Sequence, residues 1–182
     1  MAPKATIFKA NVNIANMDIH NYSEHSLTLA QHPSENDLRL MVRLTAFILN
    51  ANETLEFTKG ISQDDEPDLW QKSMGGDIEL SIILGQPDEK RIKKASGVSD
   101  EVIIYCYQEG MAVSWFKQNE KVLKRFKNVK VIFVSFSSNI EEICSRSMNI
   151  QCNTLDKELS IIDGDISIVV NEKTWKENLN KV

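Results

Sequence analysis

Carboxylates bunched at a turn, with cations one strand further on, are the residues of this chain best suited to chemistry. Asp64, Asp65 and Glu66 fall together in QDDEPDLW, and Lys90, Arg91, Lys93 and Lys94 follow in QPDEKRIKKA. Magnesium prefers a few carboxylates and retained waters to a full protein cage. An ion held in this way orients a phosphodiester, activates water and stabilises charge developing on phosphate oxygens. A plainer role is open to the same residues, since an acidic loop is often a solvated turn. A helix with acids first and bases later also matches its own dipole. Nucleophilic catalysis finds no support, because there is no GxSxG elbow and no Cys–His pairing with an orienting acid. Gly75-Gly76 does not continue into a dinucleotide or phosphate loop. His20, His25 and His32 lack the i, i+4 spacing of a two-histidine zinc site and read as loop and strand-end residues.

The elements that must hold these groups follow from periodicity. Thr6 to Ile14 and Tyr22 to Ala30 alternate as half-buried strands joined by the turn-forming NMDIHN, which predicts an antiparallel hairpin. HPSENDLRLMVRLTAFILNA predicts a helix with Pro33 in its first turn, Glu35 and Asp37 at its positive end, and Leu38, Val42, Thr45 and Leu49 on one face. Glu35 is also spaced for an ion pair with Arg39. LEFTKGIS and DIELSIILG read as strands on either side of the acidic knot, and Pro87 opens a helix. EVIIYCY and VKVIFVSF are buried strands around a helix from Gly110 to Lys127. That helix sets Trp115, Val122 and Phe126 against Lys117, Lys121, Lys124 and Arg125. SSNIEEICSR suits a short capped helix, MNIQCNTLD, ELSIID and DISIVVN suit a meander with a hairpin at Asp163-Gly164, and residues 173–182 suit a loosely held tail. The result is an α/β protein with a mixed β-sheet and flanking helices.

With 182 residues, 42% of them apolar and 26% charged, the chain is expected to be a single globular domain over residues 1–182 with a genuine core. Its net charge of −5 argues against general polyanion binding while leaving room for a local basic patch. Cys106, Cys144 and Cys152 show no metal or redox spacing and suit small buried hydrophobes of a reducing compartment. No apolar run is long enough for a membrane span, so a cytoplasmic location is expected.

The blocks KATIFKANVNIA, LTLAQHPSE, LEFTKGISQDDEPDLW and above all LGQPDEKRIKKA resemble the YaeQ family of small bacterial proteins. The resemblance implies a variant of the PD-(D/E)XK restriction-endonuclease-like fold. In such cores a first-helix glutamate, an aspartate and a strand-borne acid with a lysine gather around magnesium. Carried over, Glu35 is the helix glutamate and Asp65 the aspartate, with Asp64 and Glu66 beside it. His32, Gln86 and Asp88 are further candidates for the cleft. This chain departs from the pattern on the next strand, where Ile83 stands in the place of the second acid and Gly85 in that of the lysine. Glu79 shares the face of Ile83 but lies about 13 Å along the strand, too far to substitute. Lys90 and Arg91 then become the catalytic candidates. Two functions follow. One is a magnesium-dependent phosphodiester hydrolase. The other is a nuclease-derived scaffold, without turnover, that binds nucleic acid or a protein partner.

Overall fold

In the computed structural model, which describes residues 4–59 and 66–180, the chain divides into two compact units. One is built from Met1–Ile48 and Ser135–Asn171, the other from Leu49–Val134 and Glu172–Val182. The fold is mixed α/β, with three α-helices among the described residues. Among the described residues no helix is long and apolar enough to cross a membrane.

The first unit is laid out by alternation. β1 (Thr6–Asn16) buries Phe8, Ala10, Val12 and Ile14 while the residues between them face out, and it pairs antiparallel with β2 (Asn21–Gln31) from Thr6–Gln31 to Asn16–Asn21. On its other side β1 runs parallel to β8 (Ser147–Leu155), which leads antiparallel into β9 (Glu158–Asp163) and β10 (Ile166–Lys176). The hairpin has the expected two-residue form, but its turn is Gly164-Asp165, one residue later than Asp163-Gly164, with Asp163 pairing Ile166. The β8–β9 hairpin carries no glycine, yet Asp156 and Lys157 both adopt positive φ. The Asp18 carboxylate accepts from both of their N–H groups at 2.7 Å, which offsets the strain of that turn. α1 (Asp37–Leu49) starts four residues later than Pro33 suggests. Asn36 sets the start, because its side-chain oxygen accepts from Arg39 N at 2.9 Å as an N-cap. The short helix expected in SSNIEEICSR is a 3₁₀ turn, Ile140–Ile143.

The second unit contains a sheet in the order β7-β6-β5-β4-β3. β3 (Leu55–Phe57), β4 (Leu69–Lys72) and β5 (Ile78–Leu84) form an antiparallel meander, after which β6 (Ser99–Cys106) and β7 (Val129–Phe136) run parallel to β5. β4 is not expected from the sequence: LWQK starts in the last two residues of the acidic knot and is too short to show alternation. α2 (Glu89–Val98) and α3 (Glu109–Leu123) contribute Ile92, Ala95, Ala112, Trp115 and Leu123 to one core with Ile83, Val102, Ile104, Val129 and Val131. Parallel strands need such helical cover, and the run VIIYC is apolar throughout because both faces are buried.

The expected loose tail from residue 173 is corrected, because β10 continues to Lys176. Trp175 stacks on Phe133 with centroids 5.1 Å apart and tilts against Phe116 at 5.2 Å. Lys176 Nζ donates to the carbonyls of Phe126 and Val129 at 2.9 and 2.6 Å, and Leu179 N to that of Lys127 at 2.8 Å. Trp175→Ala is expected to destabilise this unit by about 2–3 kcal/mol, measured as a shift in urea midpoint, because a half-buried aromatic leaves two ring partners uncovered. A midpoint unchanged within error would mean that the tail does not hold the unit.

Candidate functional site

The β4–β5 pairing sets the geometry of the second unit's candidate site. Pairing in β4 begins at Leu69–Ile82; Asp68 precedes it, its N–H donating to Ile82 O at 2.8 Å, while the next residue, Ile83, joins the core that α2 covers. Asp68 is fully buried. Its Oδ2 accepts from Leu84 N at 2.8 Å and lies 3.6 Å from Arg91 Nη2, which also donates to the Glu66 carbonyl at 3.0 Å. Asp68 was not singled out by sequence reasoning, which took Asp65 from the same knot. Asp64 and Asp65 lie outside the described residues. The available signal was the Pro67-Asp68 dipeptide directly before an apolar residue, masked by the acids preceding it.

Of the other candidates in this unit, Asp88 is the N-cap of α2, accepting from Arg91 N at 2.8 Å. Glu89 pairs with Arg125, and Lys90 is exposed. These are the partners expected of a dipole-matched helix. Gln86 keeps its amide nitrogen buried without a hydrogen-bond partner among the described residues. Glu66 accepts from Lys59 N at 3.2 Å. Glu79 accepts from Gln71 at 2.7 Å and is thereby occupied away from the strand end. Gly85 adopts φ +87, a conformation a lysine there would hold only with strain.

Glu35 and His32 belong to the first unit. Glu35 precedes α1, its side chain 2% exposed, and each carboxylate oxygen accepts from an arginine at 2.9 Å, Oε1 from Arg39 and Oε2 from Arg43. Arg43 Nη2 also donates to Ala30 O at 3.0 Å. His32 Nδ1 sits 2.6 Å from Ser34 Oγ in the turn ahead of the helix. His25 lies in β2, edge-on to Phe47 at 5.2 Å. Cys106 and Cys152 are buried, and burial pushes both thiols up to about 12. Cys144 is pushed up to about 11, by burial first and by Asp37 and Glu141 second. Protonated thiols of this kind are poor nucleophiles.

These contacts decide what the arrangement can do. Magnesium needs hard oxygen donors converging on one point. No group of three His, Cys, Asp or Glu suited to a metal exists among the described residues. The Asp68 carboxylate is spent on Leu84 N–H and Arg91, and Ile83, the residue before Leu84, is a buried hydrocarbon. The described residues therefore do not fit the ion. What they do provide is a guanidinium held beside a buried acid, on the wall of a cavity of about 200 Å³ between the β4–β5 hairpin and α2.

Strand meander, covering helices and an arginine-locked acid at a strand end define a mixed α/β protein. The chain belongs to the YaeQ family: the family described as YaeQ protein matches residues 1–172. It is 38% identical over 179 residues, 97% of this chain and 99% of its counterpart, to the protein described as Uncharacterized protein YaeQ from Escherichia coli strain K12. The likeness to that of Salmonella typhi is 36% over the same span. The crystal structure of YaeQ protein from Xanthomonas axonopodis pv. citri superposes with a TM-score of 0.88 at 39% identity, covering 94% of this chain and 98% of that one. The structure from Pseudomonas syringae gives 0.88 at 27% identity, covering 95% and 97%.

Proposed function

We propose that the second unit is a PD-(D/E)XK nuclease-type core that binds a nucleic-acid strand without cleaving it. The observation that carries this reading is that Asp68 is spent on Leu84 N–H and Arg91 while Ile83, the residue before Leu84, is buried in an apolar core, so the position where such a core needs its second acid is hydrocarbon. The Pro67-Asp68 pair at the head of one strand, the end of the next strand beside it, and the helix that follows supply the remaining layout. Nucleic acid is favoured over a protein partner by the charge on the covering helices. α2, α3 and the turn to Lys127 carry nine basic and three acidic side chains, in a chain whose net charge is −5. Lys90, Lys93, Lys117, Lys121 and Lys127 are exposed there, and the Glu89–Arg125 ion pair joins α2 to the turn after α3. Phosphate neutralisation by such a face is the sequence-independent part of strand binding.

Fluorescence anisotropy with a labelled single-stranded oligonucleotide is the test. Binding is expected to weaken with salt at a log–log slope of about −3, as for roughly four phosphate contacts. Lys93→Glu and Lys121→Glu are each expected to weaken it about fivefold or more. The oligonucleotide is expected to stay intact in magnesium or manganese. Cleavage that Asp68→Asn abolishes would instead establish a magnesium-dependent phosphodiester hydrolase. Absence of capture at low salt would remove the strand-binding reading altogether.

A further inference from the structure

The cavity beside Arg91 has a chemical character that the basic helices do not explain. It measures about 200 Å³, and Pro67, Trp70, Ile83 and Val98 form apolar walls, while Glu66 and Arg91 bring polar groups to it. Arg91 is only partly satisfied: Nη2 reaches the Glu66 carbonyl and Asp68, but Nε is buried with no hydrogen-bond partner among the described residues. A buried N–H of this kind calls for an acceptor. Glu66 has one carboxylate oxygen on Lys59 N, and a carboxylate can accept at both oxygens.

The charge around the cavity is balanced, with Arg91 and Lys94 against Asp68 and Glu66, so a bare phosphate or carboxylate gains no net attraction there. A neutral, flat molecule with an acceptor for Arg91 Nε, a donor for Glu66 and apolar faces for the walls fits better. The volume lies below the roughly 300–1,000 Å³ of pockets for drug-sized ligands, which limits the occupant to about one ring system. A heterocyclic base has all of these properties. Trp70 supplies the aromatic surface, with Lys72 Nζ over one face of its ring at 3.6 Å from the centroid. Base-on-aromatic stacking next to a cationic backbone track is how single strands are held without pairing.

We infer that this cavity receives one unstacked nucleobase, deepening the strand-binding reading on which the inference rests. The backbone then runs over the basic helices while a single base turns in toward Trp70 and Arg91, as in proteins that take a base out of the stack. A free nucleoside offers the same chemistry.

The test compares two labelled oligonucleotides of equal length and charge, one with bases and one abasic, on the wild type, Trp70→Ala and Val98→Trp. Val98 is more than half exposed, so enlarging it occludes the cavity without disturbing the core. The base-bearing strand is expected to bind about ten- to hundredfold tighter than the abasic one. Both variants should bring its affinity down to the abasic level and leave abasic binding unchanged. Equal binding of the two strands by the wild type overturns the base pocket and leaves the backbone-binding reading intact. Nucleoside binding abolished by Val98→Trp, without capture of either strand, keeps the pocket and overturns strand binding. Binding of neither strand nor nucleoside overturns both.

Discussion

Glu35→Ala is expected to destabilise the protein by about 3–5 kcal/mol, the cost of breaking a buried ion pair from one side. Both oxygens of the carboxylate accept from guanidinium groups at 2.9 Å, and the side chains of Arg43 and Glu35 are 4% and 2% exposed. Removing the acid leaves the Arg43 charge buried, with Ala30 O as a neutral acceptor at 3.0 Å. Arg39 is less costly to strand because its side chain reaches solvent. Removing both members of the buried pair, Glu35→Leu with Arg43→Met, should recover a large part of the loss, since two apolar side chains carry no desolvation penalty. Urea unfolding of the single and double variants gives the comparison. A loss under 1 kcal/mol for Glu35→Ala would show that the arginines do not depend on the carboxylate. Its position would then be open to a cation-binding role.

The helix glutamate shows how far the sequence could be read. An ion pair with Arg39 follows from i, i+4 spacing. The second pair, with Arg43, does not, because at i+8 it depends on Glu35 standing two residues before the helix, ahead of the Asn36 cap. Strands whose faces differ in burial were plain from alternation, as in β1 with its four buried residues. The continuous apolar β6 was equally plain, since both of its faces are covered. β4 escaped because four residues with one fully buried side chain carry no period. With β4 unseen, Asp68 could not be recognised as the residue that precedes a strand. Trp175 and Lys176 sit among polar residues, and their order comes from Phe133 and the Phe126 and Val129 carbonyls, about 40 to 50 residues away in sequence. Long-range partners of that kind leave no local pattern.

Ile83→Glu is the substitution that separates a lost metal ligand from a rebuilt core, and it is expected to destabilise the protein by about 3–5 kcal/mol at neutral pH. Ile83 is fully buried and belongs to the core cluster of the second unit. A carboxylate there adjoins Leu84, whose N–H holds Asp68, an acid already matched by Arg91, so the new charge is desolvated near a like one. Ile83→Val, which removes one methylene without adding charge, should cost about 1 kcal/mol, so packing alone does not explain the larger loss. Magnesium decides between the two histories. A strand-binding core rebuilt around the Asp68–Arg91 pair gains nothing from 10 mM magnesium, and the melting temperature of the variant stays where it was. A cleft lacking one ligand regains it. Magnesium then stabilises the folded variant by RT ln(1 + [Mg]/Kd), about 2.7 kcal/mol at a hundredfold excess over Kd. A rise of several degrees in the variant and none in the wild type, with cleavage of a single-stranded oligonucleotide, would show that one acid separates this chain from a working hydrolase. The proposal of a dedicated binding core would not survive that result.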